Sequence, residues 1–307
     1  MNEECVRETD ISAEKFGSWV ELKPKRRSSA ALDEHANEWS DSMRRALARF
    51  AVVSASYHRT RKVTDSASRN DASPRPMHDG VNLAEPERVR AMFGSIARRY
   101  DLANHLLSCG VDFYWRRRAA QIVASWAPRN ILDVATGTGD LAIALGKAAP
   151  TAEITAVDVL PEMIAIAQRK GVTSARVADA MNLPFGEASF DCATIAFGLR
   201  NLPDWAGGVR EMVRVLRAGG HVLILEFSIP TMPILRGPYR FYLHRCLPIA
   251  GALLTGHRGA YDYLGESIEQ FPSGSRMIEL LETNGFRNAT AEPLTGGIVS
   301  MYTAKKL

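Results

Sequence analysis

The stretch "NILDVATGTGDLAIALG", residues 130–146, constrains the fold more than any other. An apolar run ends on a small acid, Asp133, a glycine-rich turn follows, and an apolar helical pattern takes over. That order is a strand feeding a tight turn and a helix, a unit that needs neighbouring strands to pair with. The downstream pattern supplies them. Apolar strands are expected at 130–135, 153–158, 175–178, 190–196 and 220–226, with helices near 139–148, 161–170 and 204–217 between them. Apolar strands alternating with helices imply a mainly parallel sheet covered on both faces, an α/β fold of the Rossmann-like kind. The closing segments "FRNATAEPL" and "GIVSMYTAKK" pattern as an antiparallel hairpin at the sheet edge, and residues 229–272 form an insertion rich in Tyr, Phe and Leu.

In such a sheet, ligands bind beyond the carboxyl ends of the strands, where the topology reverses. Gly137 and Gly139 are expected there, where backbone must approach a ligand closely. Asp158 ends the second strand and can accept both hydroxyls of a ribose. Gly137-x-Gly139-x-x-Ala142 with Asp158 also fits a dinucleotide fingerprint, which keeps a nicotinamide-dependent oxidoreductase as an alternative. Three features favour S-adenosylmethionine instead. Asp133 can face the cationic amino-acid end that this cofactor has and a dinucleotide lacks. Asp179 and the Ala180 amide, after the third strand, can read an adenine edge. Asp140 lies in the first helical turn, where a pyrophosphate would favour the absence of acid. Arg200 and Asn201 follow the fourth strand on the same rim.

Composition narrows the field. With 46% apolar and 23% charged residues, the 307-residue sequence reads as an ordinary globular protein, and its net charge of +4 gives no ground for a nucleic-acid partner. The four cysteines share no CxxC spacing, which argues against a zinc site and suits a reducing cytoplasm; Cys192 reads as core packing. The acidic N-terminus lacks the apolar stretch of a signal peptide, and no run reaches the roughly 20 apolar residues of a membrane span. Residues 1–80 are expected to be a disordered or marginally helical extension, and residues 86–307 the folded domain. Between 42 and 76, eight Lys or Arg stand against two Asp, an excess of six, so a helix at 39–53 could lie on a membrane surface. A start of translation at Met77 would also account for that extension.

Together these stretches resemble a known family, the quinone C-methyltransferases of ubiquinone and menaquinone biosynthesis. The resemblance runs from about Val89 to Lys306 and is carried by "YDLANHLLSCGVDFYW" (100–115), "LDVATGTGD" (132–140), "FGLRN" (197–201), "RVLRAGGHVLILEFS" (214–228) and "YDYLGESIEQFP" (261–272). It implies a class I S-adenosylmethionine-dependent methyltransferase fold, with 229–272 as a helical substrate insertion. It also implies cofactor contacts at Thr138, Asp158, Asp179 and Ala180, and at Ala196, where the family often has Ser. The sequence departs from the family at Ala103, Asp112, Arg217-Ala218 and Gly265. The implied substrate is a prenylated quinol, with demethylmenaquinol favoured over a ubiquinone-pathway benzoquinol. Peripheral membrane contact at the inner face and a homodimer are the further partner expectations.

Such chemistry needs the ring hydroxyl deprotonated so that the neighbouring carbon attacks a sulfonium methyl. Arg200, permanently charged, is expected to stabilise the phenolate or orient a water, with Asn201 positioning the ring oxygen. Tyr100 and Asp101 are expected to close over the cofactor or simply to end a helix. Tyr242 and His244 are candidate proton acceptors, and Tyr239, Phe241, Leu243, Leu247 and Leu253 would suit a prenyl tail or the insertion's own core.

Overall fold

The computed structural model describes Glu87, Ala91, Gly94, His105 and residues 107–307, and everything below concerns those residues. The extension, the surface helix expected at 39–53, and Tyr100 with Asp101 lie outside them.

Helix α1 (Val111–Ser125) precedes strand β1 (Asn130–Val134), then α2 (Asp140–Ala148), β2 (Glu153–Asp158), α3 (Pro161–Arg169), β3 (Ala175–Val177) and β4 (Phe190–Ala196). A 3₁₀ turn (Leu199–Asn201), α4 (Trp205–Val215) and β5 (Leu216–Phe227) follow. The insertion comprises α5 (Pro233–Phe241), a π turn (Tyr242–Cys246), α6 (Leu247–Thr255) and α7 (Arg258–Gln270). Helix α8 (Ser275–Thr283), β6 (Phe286–Leu294) and β7 (Val299–Lys306) come last.

The seven strands form one sheet in the order β3-β2-β1-β4-β5-β7-β6. Strands β1 to β5 run parallel, and β7 joins β5 and β6 antiparallel, which bears out the Rossmann-like class I architecture and its edge hairpin. β1 and β4 are buried along almost their whole length, as strands covered on both faces must be. One core lies between the sheet and α4 with α8, where Leu132, Ile195, Met212, Ile224, Met277 and Tyr302 meet. A smaller one on β2 holds Ala156, Ile164 and Ala167.

Two boundaries move. α4 stops at Val215 and β5 begins at once with Leu216, because Leu216 is buried and pairs with Phe190 on β4. The expected first strand residue, Gly220, lies four positions further on. The thiol of Cys192 is buried in β4 and burial pushes its pKa up, consistent with packing.

Candidate functional site

The order of the sheet reverses between β1 and β4, so the carboxyl ends of these strands flank a crevice. The backbone leaves both strands under strain. Ala135, after β1, has φ 49°, and Phe197, after β4, has φ 57°, left-handed values that cost a non-glycine residue on the order of 1 kcal/mol or more.

On the β1 side the turn is tied to β2. Asp158 Oδ2 accepts from the Gly137 N–H and Oδ1 from the Leu160 N–H, both at 2.9 Å. Burial raises the pKa of its carboxyl, while these backbone bonds oppose the rise. The Val159 N–H donates to it as well, and the carboxylate still keeps acceptor capacity for a further donor. Gly137 has φ 57°, and a Cβ placed there would meet nothing within 4 Å, so the turn faces open space. Gly139 differs from the expectation. A Cβ there would lie 2.9 Å from Val172 Cγ2 and 3.1 Å from Ala167 Cβ, so its bareness serves the packing of α2 on α3. Thr138 is buried and accepts from Lys170 Nζ at 3.3 Å; the same ammonium pairs with Asp140.

Asp133, expected to face the cationic end of the cofactor, lies in β1. It is 1% exposed, and its two oxygens accept from the hydroxyls of Thr136 (2.6 Å) and Thr194 (2.7 Å). Desolvation pushes its pKa up to about 6 against the help of those two bonds. The carboxyl therefore ties the glycine turn to β4. Asp179, after β3, turns its Oδ1 onto the Met181 N–H at 2.9 Å, and Ala180 beside it is buried. The Ala178 N–H bonds the Asp158 carbonyl, which sets this loop next to the end of β2.

Across the crevice, Arg200 is 3% exposed. Its Nη1 donates to Glu226 Oε2 (2.9 Å) and to the Phe197 carbonyl (2.6 Å), while its backbone N–H reaches Glu226 Oε1 (3.3 Å). Glu226, near the end of β5, is wholly buried. The guanidinium expected to stabilise a phenolate or orient a water thus already has a carboxylate partner. Its Nε is buried without an acceptor. Asn201 Nδ2 lies 3.4 Å from the Phe197 carbonyl, and its Oδ1 accepts from the Tyr263 hydroxyl of α7 at 3.3 Å. Ala196, half-buried, ends β4 on the same rim.

An aromatic cluster lies beside this pair. Trp115, Phe197 and Phe227 have centroids 4.6–6.1 Å apart, with the Arg200 guanidinium 5.4 Å from the Phe227 ring and that of Arg116 5.4 Å from the Phe197 ring. Arg116 pairs with the buried Asp112, whose other partners are Ser108 and His105. That network holds the Asp112 carboxyl below the usual carboxylate range although burial opposes it, and His105 Nε2 reaches to 3.8 Å from Asp140 beside the glycine turn.

The insertion contributes less than expected. Tyr242, a candidate proton acceptor, donates its hydroxyl to the Leu107 carbonyl, and burial pushes its pKa up to about 12. His244 lies 3.1 Å from Glu269 on a partly exposed surface, so it is an ion-pair residue of the insertion and no acceptor at the rim. Tyr239, Leu243 and Leu247 pack with Tyr261 and Ile268 into the insertion's own core, while Phe241 and Leu253 point outward. None of these five residues forms a tail-binding interior.

Sequence reasoning missed Glu226, Tyr263 and the aromatic cluster. An acid inside the apolar run "VLILEF" was the available signal for Glu226. Among the described residues no three metal-ligating side chains cluster.

The model of the ubiE/COQ5 methyltransferase family matches residues 81–306, nearly three quarters of the sequence. The chain belongs to that family. It is thus a methyltransferase dependent on S-adenosylmethionine, as its glycine turn suggests. The demethylmenaquinone methyltransferase of Deinococcus radiodurans is 44% identical over 72% of this chain and 93% of its own length. The ubiquinone/menaquinone biosynthesis C-methyltransferase UbiE of Geobacter sp. strain M21 is 42% identical over 72% of this chain and 97% of its own. Among solved structures, human N-acetylserotonin methyltransferase in complex with SAM aligns at a TM-score of 0.50 and 18% identity, covering 74% of this chain and 60% of that one, a likeness of fold alone. The residues around the turn fit an adenosyl group. Gly137 offers an open, bare backbone, Asp158 a buried carboxylate with spare lone pairs, and the Lys170 ammonium that could meet a diphosphate is tied to Asp140.

Proposed function

We propose that this protein methylates a ring carbon of a prenylated quinol, converting demethylmenaquinol to menaquinol. The single observation that carries the reading is the 44% identity to a relative named for that reaction, over 93% of that relative's length. When bound, S-adenosylmethionine supplies an electrophilic methyl group on a sulfonium. In this reading Asp158 accepts the ribose hydroxyls, Gly137, Thr138 and Gly139 shape the turn beneath them, and Asp179 with Ala180 meets the adenine.

The β4 rim handles the acceptor. Asn201 and Tyr263 present an amide and a hydroxyl to the ring oxygen. The Arg200–Glu226 pair acts through position: it pins the Phe197 carbonyl and the 3₁₀ turn that carries Asn201. The aromatic cluster of Trp115, Phe197 and Phe227 offers a flat apolar wall for the ring. Holding acceptor and cofactor at attack distance supplies several kcal/mol of the barrier reduction without any covalent work by the protein.

A ubiquinone-pathway benzoquinol is the second reading, favoured by relatives named for both pathways. Purified protein given methyl-labelled S-adenosylmethionine and each reduced acceptor decides between them. Label in menaquinol supports the first reading, label only in the benzoquinol product the second, and no transfer to either overturns both. On this reading the protein works at the cytoplasmic face of a membrane, because its acceptor is lipophilic.

A further inference from the structure

The insertion has an outer face that the chemistry above does not use. α5, the π turn and α6 follow without a break from Pro233 to Thr255, a helical rod about 34 Å long. Pro248 cannot donate to a carbonyl four residues back, and the π turn before it absorbs the mismatch without ending the rod. The extra residue of that turn keeps one stripe in register. Ile234 is 75% exposed, Phe241 45%, Ile249 56% and Leu253 83%. Spacings of seven, eight and four residues put all four on a common side, while Tyr239, Leu243 and Leu247 face inward.

The charge carried by the rod and its flanks has one sign. The segment from Thr231 to Ala260 holds Arg236, Arg240, Arg245 and Arg258 and no Asp or Glu. Arg240 and Arg258 pair with Glu269 and Asp262 of α7, and Arg236 rests on the Pro230 and Thr231 carbonyls, which do not neutralise its charge. Arg245, between Phe241 and Ile249 on the stripe itself, makes no ion pair among the described residues.

We propose that this face docks on an anionic lipid bilayer, the rod lying in the headgroup plane with Ile234, Phe241, Ile249 and Leu253 inserted. An apolar stripe flanked by arginines, on a rod no helix of which is long and apolar enough to cross a membrane, has the composition of an interfacial helix. A second copy of the protein is the poorer occupant. A two-fold contact on this stripe would set arginines against arginines with no acid on the rod to answer them. The exposed face alone carries this reading, which goes beyond the quinol chemistry.

Co-sedimentation of the full-length protein with phosphatidylcholine vesicles, with and without phosphatidylglycerol, tests it. Binding to the anionic vesicles should be at least about tenfold tighter and should weaken with salt. The double variant I249E/L253E should lose about tenfold or more of that affinity and R245E several-fold, with melting temperature and S-adenosylmethionine affinity unchanged. Equal binding to both vesicle types overturns the proposal. So does a double variant that binds as the wild type does, which would leave lipid contact to the basic N-terminal extension. A solution dimer that I249E/L253E dissociates, with lipid binding unaltered, would instead make the stripe an interface between copies.

Discussion

Two charges are buried a few residues from each other's strand ends, and the protein holds them in opposite ways. Asp133 in β1 accepts from two hydroxyls, and desolvation pushes its pKa up to about 6 although those bonds and the charge of Arg116 oppose the rise. Arg200, after β4, is paired directly with Glu226. Hydroxyls leave the buried carboxyl without a paired countercharge, while the buried arginine has one. The turn after β1 is thus braced by a carboxyl with a raised pKa, the turn after β4 by an ion pair.

Breaking the fixed pair should have the largest effect. Arg200→Met leaves Glu226 uncompensated in a dry site, and should destabilise the fold by about 3–5 kcal/mol. Removing both charges together, as Arg200→Met with Glu226→Leu, should restore much of the loss, since an apolar pair needs no countercharge. Chemical denaturation of the three proteins checks this. A single variant as stable as the wild type would mean that the pair holds nothing together.

The other member of the comparison predicts a pH dependence. The folded Asp133 pKa lies above its ordinary value of 3.8, so between about 4 and 6 the folded state binds more protons than the unfolded state. Stability from this group is therefore full below about pH 4 and is lost as pH rises through about 6, by on the order of 3 kcal/mol. Asp133→Asn, which cannot ionise, should remove that slope, so the difference in unfolding free energy between it and the wild type should change over this window and be flat on either side. A constant difference from pH 4 to 7 would contradict it.

How far this could be seen beforehand depends on the kind of interaction. The strand–turn–helix unit and the hairpin were legible because hydrophobic period and glycine placement are local. The places of Asp158, Gly137 and Asp179 in the fold were legible for the same reason, at or just after strand ends that the pattern itself marks. The packing demand on Gly139 was not legible, because the atoms that exclude its side chain, on Val172 and Ala167, lie a helix away. Glu226 is 26 residues from Arg200 and Tyr263 is 62 from Asn201, so only the parallel pairing of β4 with β5 and the folding of α7 onto the 3₁₀ turn bring them together. The same holds for Leu243 and Leu253: composition cannot tell which side of a helix meets a neighbour.

The proposed function divides labour across the crevice, with cofactor at the β1–β2 rim and acceptor at the β4–β5 rim. Calorimetric affinity for S-adenosylmethionine, measured on Asp158→Asn and Tyr263→Phe beside the wild type, tests that division most directly. Asp158→Asn should weaken binding about ten- to a hundredfold, the loss of a charged acceptor worth roughly 1.5–3 kcal/mol. Tyr263→Phe should bind within about twofold of the wild type, because its hydroxyl meets Asn201 across the crevice. Unchanged affinity in Asp158→Asn, or an equal loss in both variants, would contradict the division.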